Sequence, residues 1–210
     1  MVISVVPGKR TAAHAEALLA DFKKRTAGRM MNLLTTDEYA PYQQAVLKAY
    51  GQRVVPPRTG KRGRPAGPRW LAPPELTYAT VHKTREKGRV VKVETRVIFG
   101  QEQSVQEALK ASSVSRHVNT AIIERHNGTD RNRNARKVRK TYCFSKDWDV
   151  HQAVTSFTLF SYNFCWPVRT LATPGDNGRL RPRTPAMAAG LTDHVWPLRE
   201  WLSFPFIQRE

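Results

Sequence analysis

The spacing of apolar side chains over the first fifty residues predicts the order strand, helix, strand, helix. Residues 2–6 and 32–36 are short apolar runs that suit buried strands. Residues 12–25 and 40–50 instead repeat apolar side chains at helical spacing, and Gly28 and Gly51 follow them as stop signals. Asp37 falls where the second strand should end. Together these elements predict an α/β fold.

An abrupt change of composition marks an insertion after the second helix. Between Arg53 and Arg69 the chain holds six basic residues, four prolines and three glycines, with no acid. Residues 77–84 and 89–99 are then rich in strand-forming side chains and flank a short polar turn, which predicts a hairpin. The basic insertion and the hairpin together span about residues 52–100.

Helical patterns return in the second half of the chain. Residues 104–111 suit a short helix, 119–140 a long polar helix, and 148–164 a helix with one face in the core. After Leu171 the chain is rich in Pro, Gly and Arg, so we expect a loosely ordered tail with a short helix near 196–201. The predicted domains are a core over 1–170 and a tail over 171–210.

The charge balance narrows the classes of partner. Thirty-five Lys and Arg against seventeen Asp and Glu give a net charge of +18, which predicts a polyanionic partner and argues against an enzyme of small neutral metabolites. Nucleic acid is the commonest such partner, because phosphates contacted by Lys or Arg release counterions. We expect no membrane partner and a cytoplasmic location, since the chain has no run of 18 apolar residues and opens without a targeting signal. Cys143 and Cys165 lack a metal-ligand spacing, so we expect buried thiols.

Two acids stand out in these basic surroundings. Asp37 ends a predicted strand, and Glu124 lies in a predicted helix beside Arg125. A carboxylate at the carboxyl end of a strand, facing one from a neighbouring helix, is an arrangement that holds divalent cations through oxygen ligands. Ordinary ion-paired acids would give the same pattern, and spacing alone leaves both interpretations open.

Several segments resemble the insertion-sequence-one-like branch of the transposases that use an Asp, Asp, Glu (DDE) triad. They occur in the family's order and cover nearly the whole chain. The segments are VVPGKRT at 5–11, TTDEYAPY at 35–42, VNTAIIERHN at 118–127, RKTYCFSK at 139–146 with YNFCWP at 162–167, and RTPAMAAGL at 183–191.

The resemblance implies a ribonuclease H-like catalytic core, with the basic insertion and hairpin between the second and third acids. Asp37 matches the second acid and Glu124 the third, each a ligand of Mg²⁺ or Mn²⁺ in the intact parent enzyme. The family's first Asp lies on an earlier strand, and here no acid precedes Glu16, which falls with Asp21 on the first helix. The resemblance therefore implies a core incomplete at its amino-terminal end, in a truncated or frame-disrupted chain. Asp130 is a smaller departure, because the family more often carries an apolar residue there.

Basic side chains are predicted to contact DNA in two places. Arg131 lies two helical turns after Glu124, where related transposases place a basic residue that contacts DNA near the active site. The candidate residues are Arg125, Arg131, Arg133, Arg136, Lys137, Arg139 and Lys140 in the basic run, and Arg58, Lys61, Arg62 and Arg64 in the insertion. Solvated charged surfaces are the simpler alternative for both.

The resemblance implies DNA transposition, in which a phosphodiester at an element end is cleaved and the freed 3′ hydroxyl is joined to target DNA. We expect this chain to be inactive alone, with DNA ends and target as partners, together with further copies of itself or an intact transposase. The alternative is a non-catalytic DNA-binding remnant that interferes with an intact relative. An RNA-binding protein of ribosomal type would explain the charge but not the acid pair.

Overall fold

The computed structural model describes residues 1–57, 67–175 and 178–204. Two compact units account for the contacts within the chain. Gly8–Arg125 form the first, here the sheet unit, while Met1–Pro7 and His126–Glu210 form the second, here the helical unit. The domain boundary predicted near residue 170 lies inside the helical unit. No helix in the described ranges combines the length and apolar character needed to span a membrane.

The sheet unit begins with the predicted order helix, strand, helix and continues, over the described residues, with four strands and a further helix. Its elements are α1 Ala12–Arg25, β1 Leu34–Asp37, α2 Pro41–Tyr50, β2 Gln52–Val54, β3 Arg69–Leu71, β4 Tyr78–Glu86, β5 Arg89–Phe99 and α3 Glu102–Ala111. A further helix, α4 Ala121–Arg133, begins in this unit and ends in the helical unit. Local sequence explains the helix starts, because Thr11 caps α1 by accepting the His14 N–H and Pro41 occupies the first turn of α2.

A three-stranded mixed sheet with the order β1–β4–β5 forms the centre of the sheet unit. β1 pairs with β4 in parallel, with Leu34 opposite Tyr78 and Asp37 opposite Val81. β4 and β5 form the predicted antiparallel hairpin, whose tight turn carries Lys87 and Gly88 at positive φ. Among the described strands, only β4 pairs with β1, so β1 lies at an edge of this sheet.

Apolar side chains pack on both faces of this sheet, with helices covering them. On one face, Leu76 and Tyr78 join a cluster with Val46 of α2 and Leu19 of α1. On the other face, a smaller cluster contains Ala79, Val81, Val105 and Val118. The protein is therefore a mixed α/β structure with a mixed sheet flanked by helices, which confirms the predicted fold class at that level.

The helical unit is built around one long helix. Its elements are α5 Trp148–Cys165, the short strands β6 Thr173–Pro174 and β7 Leu180–Arg181, and the helices α6 Pro185–Ala188 and α7 Leu198–Ser203. Asp147 caps α5 by accepting the Val150 N–H at 2.8 Å. At the other end of α5, the Phe164 ring lies against Trp196 and Trp201, with centroids 4.8 and 5.4 Å away. These aromatic contacts hold the segment around α7 against α5.

Three local predictions were wrong. Val2–Val6 is not a strand; at its start, the side-chain amide of Asn163 bonds both the N–H and the C=O of Val2, at 2.8 and 2.7 Å. The long polar helix predicted to reach residue 140 ends at Arg133, where the buried Asn134 accepts the Arg136 N–H and starts a 3₁₀ turn. Cys143 is exposed and Cys165 only partly buried, so neither thiol is a fully buried side chain.

Leu76→Ala tests whether the cluster beneath α1 and α2 stabilises the sheet unit. Leu76 is fully buried in this cluster. The substitution should lower the free energy of unfolding by about 2–5 kcal/mol, through lost burial and the cavity left behind. Chemical denaturation measures this, with the exposed Leu71→Ala as a control expected to change stability by less than about 0.5 kcal/mol. Equal losses in the two variants would contradict the assigned core.

Candidate functional site

Asp37 ends β1 with its carboxylate held by two donors. Its Oδ2 accepts a hydrogen bond from the Arg10 guanidinium at 2.7 Å, and its Oδ1 accepts the Tyr39 N–H at 3.3 Å. The Arg10 guanidinium lies 4.3 Å from the centroid of the Tyr39 ring, and the Tyr39 hydroxyl donates to the Arg10 carbonyl at 2.8 Å. Arg10 is therefore fixed beside Asp37 by an ion pair, a cation–π contact and a backbone hydrogen bond.

The charge of Asp37 affects the pKa of a neighbouring tyrosine. The pKa of Tyr42 is raised, first by burial and then by the negative charge of Asp37, while the positive charge of Arg10 acts in the opposite direction. The Asp37 side chain is 50% exposed, so water and ions can reach it. The carboxylate is thus paired without being enclosed.

Glu124, the second candidate acid, lies in the first turn of α4. Its Oε1 accepts hydrogen bonds from Lys83 Nζ at 2.7 Å and from the Thr120 hydroxyl at 2.8 Å, and Lys83 also donates to Thr120 at 2.9 Å. These three groups form a closed set of contacts between β4 and the start of α4. The hydrogen bond from Lys83 is the largest cause of the lowered pKa of Glu124, followed by that from Thr120.

Strand register relates the position of Asp37 to that of Lys83, the residue that holds Glu124. Asp37 lies opposite Val81, and Lys83 follows two residues later on the same face of β4, about 6.6 Å further along the strand. Glu124 is held at the end of the Lys83 side chain. Asp37 is the last residue of β1, and Glu124 is linked through Lys83 to a position of β4 two residues past the partner of Asp37. In this structure each is an ion-paired acid, with a different cation as its partner.

Glu38 is an acid of this region that the sequence analysis overlooked. It follows Asp37 directly and accepts hydrogen bonds from Arg96 NH1 at 2.8 Å and from His82 Nδ1. These partners lie 58 and 44 residues away in the sequence, so no local pattern could pair them with Glu38. The only available sign was a second acid at the predicted end of a strand.

The described residues offer part of a metal site. Carboxylate oxygens are the ligands that Mg²⁺ and Mn²⁺ prefer, and Asp37 and Glu124 are exposed carboxylates of this kind. No group of three or more His, Cys, Asp or Glu side chains suited to a metal ion occurs in the described ranges. The residues therefore fit a carboxylate metal site only in part, and a further ligand would have to come from elsewhere.

The basic side chains of α4 and of the turn after it differ in exposure, so they are not equally accessible to DNA. Arg131, Arg139 and Lys140 are exposed, as is Arg125 in the sheet unit. Lys137 is instead mostly buried and pairs with Asp130 at 2.8 Å, with Arg136 partly buried nearby in the same turn.

Arg133 and the insertion complete the set of predicted DNA contacts. The Arg133 guanidinium lies 3.7 Å from the centroid of a Trp166 ring, and burial lowers its pKa. This cation–π contact ties the end of α4 to the end of α5. The insertion residues Arg58, Lys61, Arg62 and Arg64 lie outside the described residues.

Comparison with known proteins returns no matching family model, curated protein or solved structure. The function of this chain is therefore inferred from its own geometry and from the resemblance of its sequence.

Lys83→Met tests the contact that lowers the pKa of Glu124. Without the ammonium group, the Glu124 pKa should rise toward its ordinary value of 4.5, whereas Lys92→Met removes a similar ion pair with Glu94 and should leave Glu124 unchanged. A lowered carboxyl pKa stabilises the fold above the ordinary pKa, and this contribution disappears as pH falls through the lowered one. Titration of the Glu124 carboxyl by NMR measures the shift. An unchanged pKa in Lys83→Met would contradict the assigned contact.

Proposed function

We propose that this chain carries part of a ribonuclease H-like core of the DDE transposase type and that it binds DNA. The observation that supports the proposal is that Asp37 ends β1 while Glu124, on a helix, is held by Lys83 of the neighbouring strand β4. The net charge of +18 supports a nucleic-acid partner. An RNA-binding protein would need neither acid at that position.

The open edge of β1 supports an incomplete core. In the fold that the resemblance implies, the strand that carries the first Asp belongs to the centre of the sheet. Here β1 is paired on one side by β4 among the described strands, and Thr35 on β1 is exposed. A strand added along this edge would bring its side chains beside Asp37. The first carboxylate of the triad would come from such a strand.

Asp37 and Glu124 would hold Mg²⁺ or Mn²⁺ in the complete protein. When bound, such ions activate an attacking oxygen and stabilise the leaving oxygen of a phosphodiester. In this chain, Arg10 and Lys83 neutralise the two carboxylates and keep them in position. Both acids are at least half exposed, at 50% and 62%, so these ion pairs contribute little stability and can be exchanged.

A non-catalytic DNA-binding role is the second candidate, and one observation favours it. Both acids are paired with cations, and the described ranges contain no group of three His, Cys, Asp or Glu side chains suited to a metal ion. Such a chain would bind DNA without cutting it and would interfere with an intact relative. The two candidates share DNA binding and differ in whether a complete form of the core cleaves DNA.

Duplex binding should depend on the exposed part of the basic run. The affinity for a fluorescein-labelled duplex, measured by anisotropy, should fall by orders of magnitude between about 50 and 200 mM salt. Arg139→Gln and Lys140→Gln should each reduce the salt slope by about one, because each removes a phosphate contact. Lys24→Gln, an exposed change on α1, should leave the slope unchanged. A salt-independent affinity would exclude the phosphate-contact interpretation.

Manganese should bind at the acid pair, and the chain alone should not cut DNA. Added Mn²⁺ should broaden the amide NMR signals of residues around Asp37 and Glu124, because the bound ion is paramagnetic and its ligands are carboxylates. Asp37→Asn and Glu124→Gln should each weaken this effect. Asp21→Asn, which removes an acid paired with Arg25 on α1, should not.

The outcomes of the manganese experiment test the assignment of metal binding to the two acids. Broadening around both acids without nuclease activity is the expected result. Broadening elsewhere, or an effect that survives both substitutions, would reject the metal assignment. Metal-dependent cleavage by this chain would show that two carboxylates are enough, contrary to the proposal.

A further inference from the structure

The segment 138–148 of the helical unit, here the aromatic segment, presents three large rings to solvent. Tyr142 is 99% exposed, Phe144 58% and Trp148 52%. Rings of this size normally dominate cores and interfaces, because each buries a large apolar area. Three exposed rings within seven consecutive residues therefore indicate a surface that binds something.

Local hydrogen bonds hold this segment in place. Thr141 N–H donates to the Val138 carbonyl at 3.3 Å, closing a turn in which Lys140 adopts a positive φ of 56°. The Thr141 hydroxyl then accepts the Cys143 N–H at 3.0 Å, and Ser145 Oγ lies 3.1 Å from His151 Nδ1. The segment is anchored at both ends, so the exposed rings do not have to be ordered entirely by a ligand.

Basic side chains alternate with the rings. Arg139 and Lys140 precede Tyr142, and Lys146 lies between Phe144 and Trp148, all three exposed. The acid of the segment, Asp147, is engaged as the cap of α5. An apolar protein or lipid surface covering the rings would also dehydrate these cations at a cost. A strand of nucleotides instead supplies a phosphate for the cations and a flat base for the rings.

We propose that the aromatic segment binds unpaired DNA, with bases stacked on Tyr142 and Phe144 and phosphates contacted by Arg139, Lys140 and Lys146. Trp148 stacks on His151 at 5.3 Å with an interplanar angle of 21°, so the imidazole supports one face of the indole. Duplex DNA keeps its base faces stacked internally, so only an unpaired stretch can use the rings. The choice of DNA over RNA rests on the proposed function. The stacking of bases on the rings does not depend on that function.

Substitutions that keep or remove the aromatic ring test this inference in the whole chain. Tyr142→Leu and Phe144→Leu keep an apolar side chain but cannot stack, whereas Tyr142→Phe and Phe144→Tyr keep the ring. The probes are a short labelled oligodeoxythymidine, an abasic strand of the same length, a duplex of the same length and an oligouridine. Because both positions are exposed, all variants should fold alike, which circular dichroism checks.

The expected result is loss of affinity for oligodeoxythymidine in the leucine variants alone. Each should bind it at least about five-fold more weakly, since stacking contributes about 1 kcal/mol or more per base. The abasic strand and the duplex should bind all variants equally. Unchanged oligodeoxythymidine binding in the leucine variants, as for an apolar docking surface, would overturn the inference. Equal losses on the abasic strand would also overturn it, and tighter binding of oligouridine would overturn the assignment to DNA.

The duplex probe separates this inference from the proposed function. Duplex binding with no ring-dependent binding of single strands would leave the proposed function standing and reject the inference. Ring-dependent binding of oligodeoxythymidine without duplex binding would support the inference and count against the transposase-type function. Failure to bind every probe would reject both.

Discussion

The parallel pairing of β1 with β4 sets the position of every candidate catalytic group in the sheet unit. It places Asp37 opposite Val81 and therefore two residues short of Lys83, whose ammonium group holds Glu124. A slip of one residue would move Asp37 to the opposite face, because side chains alternate along a strand. Burial opposes such a slip. Leu34 and its register partner Tyr78 pack into the cluster under α1 and α2, and the Tyr78 hydroxyl bonds Thr36 at 2.7 Å.

Charge in the sheet unit follows a related constraint. In a chain with 35 Lys and Arg against 17 Asp and Glu, cations outnumber acids, and Asp37, Glu38 and Glu124 each pair with one. Exposed pairs of this kind contribute little to stability, so they do not explain why acids occupy these positions. The position of Asp37 and Glu38 at the end of β1, with Glu124 held from the neighbouring strand by Lys83, does require an explanation. A carboxylate site in which metal ions replace the protein cations would account for these positions. The proposed function therefore depends on where the acids lie and not on the cations that now pair with them.

Sequence periodicity predicted most helices and strands of the sheet unit, together with the end of β1 at Asp37. These features depend on neighbouring residues, whose spacing a single sequence displays. The strand predicted at Val2–Val6 was wrong. The backbone of Val2 bonds instead with Asn163, which lies 161 residues away. The cations beside Asp37 and Glu124 were equally hidden, since Arg10 and Lys83 lie 27 and 41 residues from the acids that they hold. The sequence thus indicated that Asp37 would end a strand and that Glu124 would lie in a helix. It did not indicate which cations would pair with them.

The basic run shows why composition alone overestimates a binding surface. Lys137 and Asp130 form a pair in which the side chains are only 19% and 12% exposed, and one Asp130 oxygen has no hydrogen-bond partner among the described residues. Moving Lys137 to a phosphate would leave the Asp130 charge buried and uncompensated, which is costly. Arg133 would likewise lose its contact with Trp166. Lys137 therefore acts within the fold, whereas the exposed positive charge of this run lies on Arg131, Arg133, Arg139 and Lys140. Arg139 and Lys140 lie just before Tyr142 in the sequence. Exposed charges and exposed rings of the helical unit therefore occupy one short stretch of chain.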